Sequence, residues 1–206
     1  MREAIKKEIK KIENKYLASS DEIVSAYNTE KRLSSDYEGR QLFELLQNAD
    51  DAGENSSGKV LIQFIDGKLI VSNTGEPFSF DGIKSLLHTN ASPKNIHDDK
   101  IGCKGLGFRS ILSWSNAVTI STKEWSVLFS EKNAKRFYQS IIDKNPCLID
   151  EIKKLTNEKY PIAVLTCPEV LPPINIKGFS TSILIDCKKE HYGVILDQVH
   201  SLDFIE

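Results

Sequence analysis

Glu44, Asn48 and Asp51 stand four and then three residues apart, a spacing that puts all three on one face of an α-helix. Leu45, Leu46 and Ala49 run beside them. A helix that buries an apolar stripe and also aligns a carboxylate, a carboxamide and a second carboxylate suits a polar pocket. Asn48 offers a neutral amide oxygen, a good ligand for a hard divalent cation that already carries phosphate and water. Glu44, one turn earlier, can polarise a water beside such a cation as a general base. Taken alone, Glu-x-x-x-Asn is equally the pattern of a solvated helix face, so the reading depends on what accompanies it.

Three further stretches accompany it. In Val71-Ser72-Asn73-Thr74-Gly75-Glu76-Pro77-Phe78 a strand-like run ends in a short polar side chain and then a glycine. Such a corner lets backbone approach a flat ligand closely, and Asn73 can both donate and accept at the edge of a base. An ordinary turn uses the same residues. In Ile101-Gly102-Cys103-Lys104-Gly105-Leu106-Gly107-Phe108-Arg109-Ser110, three glycines lead into a helix. Backbone N–H groups at such a junction face an anion, and Lys104 adds positive charge. There is no Gly-Lys-Ser/Thr as in a P-loop, and the spacing is not the dinucleotide-binding Gly-x-Gly-x-x-Gly. Ser92 and Lys94, in the polar stretch before it, are placed to close over a phosphate tail. Last, Thr181 opens a β-branched run, Thr181-Ser182-Ile183-Leu184-Ile185, from which it can reach a base edge. Plain strand propensity accounts for it equally well.

The elements that must position these residues follow from periodicity. Ile5, Ile9, Ile12 and Tyr16 predict a helix over residues 2–17, and a second covers Ser20 to about Leu33. The first 18 residues carry six Lys/Arg against three Glu. That basic face either meets a partner or belongs to an amphipathic helix packed on the domain. The key helix runs from about Tyr37 to Ala52 and stops at Gly53. Strands at 59–65 and 68–72 flank Asp66-Gly67, a strong hairpin signal. A short helix follows near 80–87, a loop over 88–101 and a helix over 108–114. Strands are expected near 117–122, 125–130, 161–167 and 180–186. Residues 131–159 are helical with a break at Pro146, and a last helix starts near His191.

Composition sets outer limits. The chain has 206 residues, 40% apolar and 27% charged, with a net charge of -2, an ordinary globular balance. Without a global basic field, nucleic acid is not an expected partner. No apolar run approaches the roughly 20 residues that span a bilayer, and no membrane is expected. The N-terminal charges do not suit a signal peptide. Cys103, Cys147, Cys167 and Cys187 lie far apart, which fits reduced thiols and a cytoplasmic setting. Residues 194–206 are still apolar and periodic, so we expect further C-terminal domains of the same chain.

The order of these features, acidic/amide helix, strand corner, polar loop, glycine turn and threonine strand, resembles the GHKL ATPases. These include gyrase B, heat-shock chaperones, histidine kinases and MutL. Glu44–Ala52, Asn73–Phe78 and Gly102–Ser110 are most similar to the sacsin-like N-terminal ATP-binding branch. The resemblance covers roughly residues 36–185. It implies an α/β (α+β) two-layer sandwich of the Bergerat type, with a mixed, mainly antiparallel sheet and helices on one face. The domain would span 36–206, with 1–35 as a helical extension packed on it.

The resemblance also implies ATP, with Mg²⁺ held by Asn48, phosphates and water. Glu44 would be the general base. Asp51 and Ala52 would lie on the adenine side, Asn73 at the adenine amino group, and Gly75 would leave room for the base. Gly102, Gly105 and Gly107 would hold the phosphates, Lys104, Leu106 and Phe108 would also belong to the ATP-binding residues, Ser92 and Lys94 would lie in a lid of roughly 88–104, and Thr181 would reach the base. Two positions depart from the family pattern. Asn73 stands where most members carry Asp, so the acceptor lacks charge assistance. Pro77 replaces a glycine, which stiffens the corner. The expected activity is slow Mg²⁺-dependent ATP hydrolysis coupled to lid closure, weak in this chain alone. The alternative is a nucleotide-sensing or chaperone-like interaction module without useful catalysis. Expected partners are ATP or ADP, a protein client and a second copy of the chain.

Overall fold

A computed structural model describes residues 1–36, 39–53, 58–88, 107–174 and 176–202. Its centre is a six-stranded sheet in the order β1-β2-β6-β3-β4-β5. The strands are β1 (Val60–Ile65), β2 (Lys68–Asn73), β3 (Ser115–Thr122), β4 (Ser126–Ser130), β5 (Glu169–Leu171) and β6 (Thr181–Cys187). Every pairing among them is antiparallel. The β1–β2 hairpin turns at Asp66-Gly67 as expected, with positive φ at both residues.

Alternation along the strands gives the sheet two different faces. On one, Leu69, Ile185, Val118 and Phe129 form a row across four strands, and Val71, Ile183, Ile120 and Val127 form the next. All eight are buried. The third row on this face, Asn73, Thr181 and Thr122, is buried but polar. On the other face Ser72, Ser182, Ser121 and Ser126 align in one row. Their hydroxyls bond pairwise, Ser72–Ser182 at 2.8 Å and Ser121–Ser126 at 2.6 Å. The backbone of Ile174 bonds to Ser121 and Ser126 and anchors the segment that leads into β6.

Helices pack on the apolar rows. They are α1 (Arg2–Ala18), α2 (Ser20–Asp36), α3 (Gln41–Gly53), α4 (Phe80–Leu87), α5 (Ile111–Trp114), α6 (Glu131–Lys144), α7 (Leu148–Leu155) and α8 (Tyr192–Ser201). Ile5, Ile12 and Tyr16 of α1 and Ile23 and Val24 of α2 join the same core as Leu69, Val118 and Ile141. The basic N-terminal helix therefore buries its apolar stripe on the domain. Glu13 of α1 pairs with Lys10 and with Lys144 of α6.

Three expected elements come out differently. The key helix starts at Gln41 and not near Tyr37. The helix expected over 108–114 opens as a 3₁₀ turn over Gly107–Ser110 before α5. Residues 161–167 are not a strand. They carry a 3₁₀ turn at Val164–Thr166, and the edge strand is instead β5. The cause is Glu30 of α2. Its buried carboxylate accepts hydrogen bonds from the N–H groups of Val164 and Leu165, which a strand would have given to a neighbour.

Candidate functional site

The polar row at the end of the sheet faces the C-terminal half of α3. Asn73 closes β2, and Thr181 opens β6 directly opposite it. Ser180 N donates to Asn73 O at 2.9 Å, and Phe78 N donates to Thr181 Oγ1 at 2.8 Å. The strand corner after β2 is thus folded back onto the sheet by a side-chain hydroxyl. The amide nitrogen of Asn73 donates to Thr74 O at 2.9 Å. That bond uses one of the two Nδ2 hydrogens and orients the amide, and Oδ1 is the atom able to accept from a ligand.

Gly75 brings this corner against α3. Its φ is +99°, and a Cβ there would lie 2.2 Å from Ala52 O. Glu76 N donates to the same carbonyl at 2.9 Å. The corner therefore caps the end of α3, satisfying a carbonyl that the helix leaves open. Only glycine permits both the dihedral and the contact.

Between these elements lies a cavity of about 530 Å³. Asn48, Asp51, Ala52, Asn73, Gly75 and Thr181 all line it. Residues from three of the four stretches thus line one space. Leu45, Ala49, Val71 and Ile183 supply an apolar floor, and Phe78, Ser79, Gly82 and Ser85 close the far side. None of these eight was expected from the sequence to contact a ligand. The floor was legible in principle, since Leu45 and Ala49 sit one helical turn apart and Val71 and Ile183 are two residues from Asn73 and Thr181. The far wall has a different signal. Phe78 lies over Gly82, where a Cβ would come within 2.7 Å of its ring.

Glu44 stands outside the cavity lining, one turn before Asn48. Its side chain is 14% exposed, and Arg40 Nη2 lies 3.7 Å from Oε1. Gly107 packs directly against it. The 3₁₀ turn is held from within by Ser110 Oγ, which donates to Gly107 O at 2.7 Å. Arg109, 2% exposed, donates through Nη2 to Leu86 O of α4 at 3.0 Å. Its charge acts on buried Glu30. Burial pushes the Glu30 carboxyl above its ordinary value, while the Leu165 and Val164 N–H groups and Arg109 oppose that shift.

Phe108 does not line the cavity. Its side chain is buried in the hydrophobic core. Ser92, Lys94, Gly102, Lys104, Gly105 and Leu106 lie outside the described residues, as does Cys103. Among the described residues no group of three or more His, Cys, Asp or Glu side chains could hold a metal ion, and no helix is long and apolar enough to cross a membrane.

Fold and site together define a two-layer α/β domain with a polar-rimmed cavity between the sheet end and α3. No known protein family matches the chain by sequence, and no curated protein matches it. Among solved structures it is similar to the 43K ATPase domain of Thermus thermophilus gyrase B in complex with an aminocoumarin. The identity is 14% and the TM-score 0.38, over 75% of this chain and 34% of that one. This chain therefore spans about a third of the length of that structure.

Proposed function

We propose that the domain binds ATP in the cavity beside α3, in the manner of the GHKL ATPases that its motifs resemble, on a sheet-and-helix frame of the Bergerat type. One observation supports this reading above the others. Asn48, Asp51, Ala52, Asn73, Gly75 and Thr181 line a single cavity that combines an apolar floor with a few convergent polar groups, the usual make-up of a small-molecule site. A base fits between the floor and Asn73, whose Oδ1 accepts from an exocyclic amino group. Thr181 Oγ1 already accepts from Phe78 N, so its own hydrogen is available to a ring nitrogen of the base.

The phosphates would extend along α3 towards Glu44 and Gly107. Asn48 fits Mg²⁺ as a neutral hard donor completed by phosphate and water oxygens. When bound, the cation would neutralise phosphate charge. Glu44 would orient and deprotonate the attacking water. Slow Mg²⁺-dependent hydrolysis coupled to lid closure is the activity we infer.

Calorimetric titration of the chain with ADP, ATP and GDP, with and without Mg²⁺, tests the reading. Adenine nucleotides are expected to bind, ATP with Mg²⁺ dependence, and GDP more weakly. Absence of ADP binding, or a nucleotide-soaked structure with the ligand elsewhere, overturns it.

A further inference from the structure

The two edges of the sheet are built in opposite ways. Isolated sheet edges invite pairing with other chains, and monomers blunt them with short strands, prolines and charges. β5 is blunted: it has three residues, begins with Glu169 and is bracketed by Pro168, Pro172 and Pro173. β1 is not. It has six residues, Val60-Leu61-Ile62-Gln63-Phe64-Ile65, with no charge, no proline and no break in its register with β2. Val60 and Ile65 are 44% and 52% exposed.

The hydrogen bonds show which backbone groups point outward. Thr74 N donates to Lys59 O, and Ile65 pairs with Lys68 across the two-residue turn. Lys59, Leu61, Gln63 and Ile65 therefore direct their N–H and C=O groups to β2. Val60, Ile62 and Phe64 direct theirs away from the sheet. Among the described residues β1 pairs with β2 alone.

We propose that this edge pairs with itself: two copies of the chain join antiparallel through β1, about a two-fold axis at Gln63. That register is self-complementary at each position. Ile62 of one copy and Phe64 of the other exchange backbone hydrogen bonds, and the symmetry repeats the pair. Leu61 lies opposite Ile65 on one face, and Ile62 lies opposite Phe64 on the other. The one polar side chain, Gln63, meets its own copy, and two carboxamides can bond to each other. Moving the axis to Ile62 would set Leu61 against Gln63 and Lys59 against Ile65. Charge agrees with the Gln63 register. Lys59 and Asp66 flank the strand, and antiparallel pairing brings the lysine end of one strand beside the aspartate end of the other. The resulting interface is isologous and closed, which yields a dimer and not a fibre.

The test is sedimentation of the intact chain from about 10 μM to 1 mM, without nucleotide, because the pairing does not depend on the cavity. The wild type is expected to show a monomer–dimer equilibrium. Gln63→Lys and Gln63→Glu each place like charges directly opposite one another, which should weaken the dimer by about fivefold. Gln63 is exposed, and its backbone bonds to β2 are kept, so both variants should retain the wild-type Tm. An equimolar mixture of the two should associate more tightly than either alone. Three results would each overturn the proposal: a monomer at every concentration, variants that associate like wild type, or a mixture no tighter than its components.

Discussion

A Cβ built on Gly107 would lie 1.8 Å from Glu44 Oε2 and 2.4 Å from its Cδ. The glycine that ends one motif is thus the surface on which the carboxylate of another rests, 63 positions earlier in the chain by subtraction of their numbers. What blocks the methyl is the end of a side chain, which can rotate away. Gly107→Ala should therefore keep the fold, with Tm near wild type, while driving Glu44 out of position. If Glu44 is the general base, single-turnover ATP hydrolysis should fall by about a hundredfold or more, and nucleotide affinity should change far less. Equal losses in both would reject the assignment of Glu44.

Gly75→Ala should behave differently. There the obstruction is the Ala52 carbonyl at 2.2 Å, and the φ of +99° is itself unfavourable for alanine. Neither can be relieved by a side-chain rotation. We expect a loss of about 2–3 kcal/mol in stability together with loss of ADP binding. Urea unfolding and calorimetry on the same variant give both numbers.

Asn73→Ala removes the acceptor but leaves the cavity otherwise intact. The expected loss is about 1–1.5 kcal/mol of ADP affinity, close to tenfold. ADP and GDP should then bind nearly alike. A variant that keeps the wild-type preference for ADP would move base recognition elsewhere.

Glu30→Ala strips a buried acceptor from the Val164 and Leu165 N–H groups and removes a negative charge that acts on Arg109. Groups abandoned in this way are expensive, and about 3–5 kcal/mol of stability should be lost. Glu30→Gln keeps one acceptor oxygen and should lose less. Denaturant midpoints for the two variants check the order.

Stability should also report the α1 carboxylates. The Lys10 hydrogen bond and then Lys144 hold Glu13 below the ordinary carboxylate value, and Lys11 and then His88 do the same for Glu8. A folded-state value below the unfolded one means that the unfolded chain takes up protons first as pH falls. The stabilisation is present at neutral pH and is lost on acidification through the carboxylate range. Glu13→Gln should therefore lower stability by about 1 kcal/mol at pH 7. Once the pH has fallen below the depressed folded-state value of Glu13, the substitution should have almost no effect. Tm measured against pH for both proteins should converge at the acid end.

Much of this molecule could be read before any coordinates. Asp66-Gly67 between two β-rich runs announced the hairpin, and the break at Pro146 separates α6 from α7. The Glu44, Asn48, Asp51 spacing predicted a helix face, and Asn48 and Asp51 do share one cavity. These are local signals: turn dihedrals, helical period and alternation each act within a few residues.

What could not be read depends on distance along the chain. The run Pro161–Cys167 is apolar and β-branched, yet Glu30, 134 residues before Val164, takes the hydrogen bonds a strand would need. Phe108 sits inside a glycine-rich motif, and its side chain is buried in the core. The amide of Asn73 likewise finds its place only when β2 meets β6 and the corner folds back. Residue types and spacing alone determined the elements and nominated their polar residues. Tertiary structure decided which of those residues share a space, because burial and hydrogen-bond completion are settled between segments and not within them.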